Sequence, residues 1–126
     1  MKKLIVDIDN TLCTTIDSDY KNSCPIYPVI SKLHEYKELG FTIVLFSSRN
    51  MRTYESNIGK INIHTLPVII EWLNKYDVPY DEVLIGKPWC GREGFYIDDR
   101  AIRPSEFVKL SYDQIKLILS NELNLI

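Results

Sequence analysis

Two aspartates stand two residues apart at the end of an apolar run, Leu4-Ile5-Val6-Asp7-Ile8-Asp9, and Thr11 follows them. Residues two apart on an extended segment project to the same side, so both carboxylates can face one ligand. An Asp-rich turn is the plain alternative, and this motif alone does not decide between them. Three further places carry the decision. Ser47 comes directly after Thr42-Ile43-Val44-Leu45-Phe46 and has a hydroxyl suited to a phosphoryl oxygen; Ser48 competes for that task, and a cap is the structural alternative. Lys87 lies between Gly86 and Pro88 after Glu82-Val83-Leu84-Ile85. An ammonium there would hold Asp7 ionised and offset phosphate charge, where most lysines are merely solvated. Asp98-Asp99 follows Phe95-Tyr96-Ile97. Such a pair repels itself unless a cation neutralises it, and magnesium suits an oxygen-only site with waters and phosphate. Pairing with Arg100 or Arg103 is the structural alternative. Arg49 either binds substrate or pairs with a carboxylate.

The elements that must position these groups alternate along the chain. Leu4–Val6, Phe41–Phe46, Glu82–Ile85 and Phe95–Ile97 read as buried strands. Helices are predicted from Pro28 to Leu39, from Leu66 to Tyr76 with Val68, Ile69, Trp72 and Leu73 inward, and from Ser111 to about Leu123. Ser111 and Gln114 have the spacing of a capping box. Residues 12–25 and the stretch from Arg49 to about Thr65 read as loops. The pattern predicts an α/β, three-layer Rossmann-like domain spanning 1–126. Its mainly parallel sheet would have four or five strands, with helices on both faces. In such a sheet the carboxyl ends of the strands share one edge, and ligands bind there. Four strands would deliver two acids, a hydroxyl, an amine and two more acids to one crevice.

Asp7-x-Asp9-x-Thr11, then Ser47, then Lys87, then Asp98-Asp99, in this order, resemble the haloacid dehalogenase superfamily of phosphotransferases. The stretches Ser48–Tyr54, Gly86–Gly91 and Asp98–Pro104 look like its bacterial capsule-biosynthesis phosphatases. The resemblance implies that Asp7 is the nucleophile and Asp9 the general acid and then base. It also implies that Asp7, the Asp9 carbonyl and Asp98 or Asp99 hold Mg²⁺. Ser47, Ser48, Arg49, Asn50, Arg52, Lys60 and Lys87 are the substrate-binding candidates, and a sugar phosphate or polysaccharide precursor is the implied substrate. Asn10 stands where many relatives carry Gly, and Asn tolerates the left-handed turn. Neither gap between motifs has room for a separate cap domain. The loops 49–60 and 89–93 would therefore select substrate, residues 12–25 would form a flap, and a homo-oligomer is expected to cover the site. A nucleotidase or a phosphomutase of the same superfamily, a receiver domain and a silent phosphate-binding module are the competing readings. Asp9 argues against a dehalogenase, and the late acidic pair against a receiver.

Composition narrows the setting. The 126 residues are 45% hydrophobic and 25% charged, enough for a packed core without disulfides. A net charge of -2 gives no footprint for nucleic acid or an anionic membrane. Cys13, Cys24 and Cys90 lack zinc spacing and read as reduced thiols. The apolar run at the N-terminus stops at Asp7, too short for a secretory signal, so the expected location is the cytoplasm.

Overall fold

The structure is a computed structural model that describes residues 1–124. They gather into two compact units, Met1–Trp89 and a second that begins at Cys90.

The first unit opens with β1 (Lys3–Val6). A tight turn follows, in which Asn10 adopts φ 62° and donates its N–H to the Cys13 carbonyl at 2.8 Å. Asn thus performs the left-handed turn usually given to Gly. Residues 12–25 are more ordered than a loop. β2 (Cys13–Thr14) pairs antiparallel with β3 (Cys24–Pro25), and a 3-10 turn spans Tyr20–Asn22 between them. The Trp72 indole N–H donates to the Ser23 carbonyl at 2.9 Å, which fixes this hairpin by a bond from a distant helix. Local turn residues could not announce that bond.

α1 (Tyr27–Glu38) carries Pro28 in its first turn, buries Val29, Ile30, Leu33 and Tyr36, and stops before Gly40 at φ 93°. β4 (Thr42–Ser47) is the central strand. α2 (Ile58–His64) lies where the sequence predicts loop; the Asn57 side chain caps it by accepting the Lys60 N–H at 3.1 Å. Gly59 weakens its helical signal, and Ile61 is its one buried residue. α3 (Leu66–Lys75) buries Ile69, Trp72 and Leu73, and β5 (Glu82–Ile85) completes the sheet.

Strand order is β1-β4-β5, all parallel, with Val6 opposite Leu45 and Leu45 opposite Val83. Both connections step in the same direction. Right-handed crossovers therefore carry α1 and the α2–α3 pair over one face. Ile43 and Leu45 of β4, Leu33, Ile61 and Leu73 are fully buried. Each such side chain contributes roughly 1.5–3 kcal/mol of transfer free energy. This core holds the strand ends in place.

The second unit contains α4 (Pro104–Lys109) and α5 (Tyr112–Glu122). Ser111 and Gln114 form the expected capping box, with bonds of 2.8 and 3.2 Å. The expected fourth strand is absent: Phe95-Tyr96-Ile97 joins no ladder among the described residues, so the sheet has three strands rather than four or five. An apolar run encodes a tendency to be buried, but a strand exists only where a neighbour pairs with its backbone.

Candidate active site

Asp7 and Asp9 leave the end of β1, Ser47 is the last residue of β4, and Lys87 follows β5 by two residues. Parallel pairing brings these ends together. The Lys87 backbone N–H donates to the Ser47 carbonyl at 3.1 Å, and its Nζ lies 3.6 Å from Asp7 Oδ1. Thr11 Oγ1 donates to the other Asp7 oxygen at 3.3 Å. Burial pushes the Asp7 carboxyl above its ordinary value, and Lys87 is the chief influence pulling it back. The Ile8 amide and Thr11 hydroxyl also lower it, and the neighbouring Asp9 raises it. A half-buried acid in this balance is receptive to a further positive charge.

Gly86 makes the turn that leads into Lys87. Its φ is 87°, and a Cβ there would sit 2.7 Å from Ile58 Cδ1. Only Gly takes that conformation without strain, whereas the Ile58 methyl, the end of an exposed side chain, could turn aside.

Arg49 resolves toward carboxylate pairing. Its Nε donates to Asp9 Oδ2 at 3.1 Å and its Nη2 to Asp9 Oδ1 at 2.9 Å, while its guanidinium lies 4.3 Å from the centre of the Tyr20 ring. The Arg49 side chain is 2% exposed and that of Asp9 30%. A bidentate pair this enclosed fixes the Asp9 carboxylate in orientation. Nη1 of Arg49 is buried without a hydrogen-bond partner among the described residues. Ser47 Oγ accepts the Arg49 backbone N–H at 3.0 Å, which links the β4 terminus to the same clamp. The Tyr20 ring against Arg49 is a contact that sequence spacing could not give.

The remaining candidates divide. Arg52 lies over Trp89 at 5.9 Å, and both line a cavity of 480 Å³ with Met51, Glu55, Ser56 and Pro88. Trp89, the first residue of one loop expected to choose substrate, thus lies against the other loop. Asn50 accepts a bond from Thr65 at 2.8 Å and braces the loop, Ser48 is half-buried beside Ser47, and Lys60 is exposed in α2. In the second unit Asp98 and Asp99 are both exposed, and Asp98 Oδ1 accepts the Arg100 N–H at 2.8 Å. Among the described residues no three His, Cys, Asp or Glu side chains gather as a metal cluster. Cys13 is fully buried and burial pushes its thiol up, so it is poorly placed to react with thiol reagents. No described helix is long and apolar enough to cross a membrane.

The α/β fold is shared with part of a chain in the Pnkp1/Rnl/Hen1 complex, at 22% identity and a TM-score of 0.50. That match covers 86% of this chain and 34% of that one, and it is a likeness of fold alone. A D,D-heptose 1.7-bisphosphate phosphatase from B. bronchiseptica, solved with magnesium and phosphate, is more distant: 15% identity, TM-score 0.47, over 75% of this chain and 54% of that one. A crystal structure of a target protein from Vibrio cholerae is far more similar, with 61% identity and a TM-score of 0.95 over 97% of this chain and 99% of that one. The chain belongs to the same family as that Vibrio cholerae protein. No family model matches the chain, and no curated protein does either.

Proposed function

We propose that this chain is a magnesium-dependent phosphomonoesterase of the haloacid dehalogenase type that works through an aspartyl-phosphate on Asp7. The observation that carries the reading is the convergence on Asp7 of the Lys87 ammonium and the Thr11 hydroxyl, beside an Asp9 whose carboxylate is held separately by Arg49. Two acids in different surroundings suit two roles. Asp7 attacks phosphorus, and the ester oxygen leaves with a proton from Asp9; Asp9 then takes a proton from the water that hydrolyses the aspartyl-phosphate. Both Asp9 oxygens accept N–H bonds from Arg49, so one must exchange its partner for the leaving oxygen during transfer. Lys87 lies where it can neutralise phosphoryl oxygens, and the Ser47 hydroxyl can donate to one of them.

The donor chemistry suits Mg²⁺: the Asp7 carboxylate, the Asp9 main-chain carbonyl and a carboxylate from Asp98 or Asp99 are all hard oxygens. Bound Mg²⁺ would supply the positive charge that lowers repulsion between an anionic nucleophile and an anionic ester. The cavity flanked by Arg52 and Trp89 supports a small phosphorylated substrate. An indole face accepts a sugar ring, a guanidinium favours an anion, and the volume is of the right order for one small ligand. A sugar phosphate is the substrate class we assign.

The test is phosphate release from a panel of phosphomonoesters, with and without Mg²⁺, for wild type, Asp7→Asn and Asp9→Asn. Metal-dependent release from sugar phosphates, lost in both variants, is expected. Release that survives Asp7→Asn would remove the covalent mechanism, and preference for nucleotides would move the substrate class to nucleotidase.

A further inference from the structure

The clamp on Asp9 uses two of the three guanidinium nitrogens of Arg49. Nε and Nη2 are turned to Asp9, and Nη1 is buried with no hydrogen-bond partner among the described residues. A buried charged donor left unbonded is costly, so it is met by a bound group or an ordered water.

Arg49 also lines a second cavity, of 260 Å³, between the Tyr20–Asn22 turn and the junction of α2 with α3. Residues 18–21 wall it on the hairpin side, and Asn50, His64, Thr65 and Val68 on the other. A water takes about 30 Å³ in the liquid, so the space suits a substituent of several heavy atoms. Its charges favour an anion. Lys21 and His64 are exposed, and the His64 ring is held against Tyr54 at 5.6 Å. Asp19 is the one acid among the described residues lining the cavity, and both its oxygens accept from the Asn22 side-chain amide, at 3.2 and 3.0 Å. Thr65 and Asn50 are bonded to each other at 2.8 Å. Nη1 is therefore the buried donor still to be met.

We propose that this cavity receives an oxyanion, a carboxylate or a phosphate, carried on the leaving group of the substrate. Arg49 Nη1 is its buried donor, and Lys21 and His64 stand at its mouth. The direction rests on the phosphatase reading, in which Asp9 gives its proton to the departing oxygen. The leaving group then departs on the Asp9 side. A guanidinium is planar and rigid, so Nη1 is held at a fixed distance from the carboxylate that its neighbours grip. An oxyanion a few bonds from the ester oxygen meets that third nitrogen with a charge-assisted bond. The Tyr20 ring lies against the guanidinium at 4.3 Å and must turn to admit it. The substrate class thereby narrows from a sugar phosphate to one with a second anionic substituent, a sugar bisphosphate or the phosphate of a sugar acid.

Matched ligand pairs test this: glucose 1-phosphate against glucose 1,6-bisphosphate, and glycerol 3-phosphate against 3-phosphoglycerate. The members of each pair differ by one anionic group. Calorimetry on the intact protein without Mg²⁺ reads binding and needs no turnover. In at least one pair the doubly anionic member should bind tenfold tighter or more. Lys21→Ala with His64→Ala should cut that margin to threefold or less, and both residues are exposed, so the fold is not at stake. Val68→Glu, which sets a carboxylate in the cavity wall, should abolish it. Equal affinity within both pairs, or a margin that survives both variants, overturns the inference. A margin removed instead by Arg52→Ala would put the oxyanion in the other cavity and overturn it too. Inorganic sulfate that binds as tightly as the doubly anionic ligand would make this a free-anion site and overturn the link to substrate. Phosphate release from the same esters with Mg²⁺ is scored separately. A margin without turnover counts against the phosphatase reading and leaves the oxyanion cavity standing, whereas turnover without a margin does the reverse.

Discussion

The acids of the first unit and those of the second differ in how much protein holds them. Asp7 is bonded by Thr11 and faced by Lys87, and Asp9 is gripped at both oxygens by a buried Arg49. Asp98 has one bond, to an amide two residues away, and Asp99 stands exposed beside it. The first pair is fixed by contacts between residues far apart in sequence, the second by a local turn. Preorganised groups can act as soon as substrate arrives, whereas a locally held pair acts only where something carries it. Chemistry and stability should therefore be coupled in the first unit and separable in the second.

The largest effect is expected at Lys87. Lys87→Ala removes the charge facing Asp7, and on the proposed mechanism kcat should fall roughly 10³-fold. Steady-state kinetics check this, and a loss under tenfold would remove Lys87 from the reaction. Arg49→Leu should lower unfolding free energy by about 3 kcal/mol, because it leaves Asp9 half-enclosed without its partner. Urea melts measure it, and activity should fall in parallel. Unchanged stability would break the coupling claimed for this unit. Asp98→Asn with Asp99→Asn should raise the Mg²⁺ concentration needed for half-maximal activity about 10- to 100-fold and leave the urea midpoint where it was. A shift in that midpoint would show that the pair is structural after all.

The smallest effect sharpens the contrast with an acid that serves the fold alone. Asp81 accepts from Lys37 Nζ at 2.6 Å and from the Ile43 N–H at 2.8 Å. The Lys37 bond first, then the amide, holds its carboxyl below the usual value. A depressed folded value means that Asp81 stabilises the protein above its unfolded pKa and that this contribution disappears as pH falls through the folded one. Asp81→Ala should thus cost about 1 kcal/mol at neutral pH, limited by solvent screening, and nothing in strong acid. Thermal melts across pH test it, with no change expected in kcat.

Much of this was legible residue by residue. β1, β4 and β5 are short apolar runs that end at Asp7, Ser47 and two residues before Lys87, and period and length sufficed to place them. Asn10 was readable as a left-handed turn and Ser111-Gln114 as a cap, because both are local. α2 escaped because Gly59 and a single buried residue leave little periodicity, and the 12–25 hairpin escaped because Trp72 of α3 helps hold it. Asp81 gave no signal at all, since its partners lie 44 and 38 residues away.

By itself, then, the sequence determined which chemical groups stand at the strand ends, since apolar runs and the residues that follow them are read along the chain. Tertiary structure alone decided that Arg49 clamps Asp9, that Tyr20 lies against Arg49, and that Phe95–Ile97 joins no ladder among the described residues. The reason is physical. Hydrophobicity is a property of a residue and can be summed from the sequence, but a hydrogen bond, a stacked ring or a strand ladder needs a partner whose position only packing fixes.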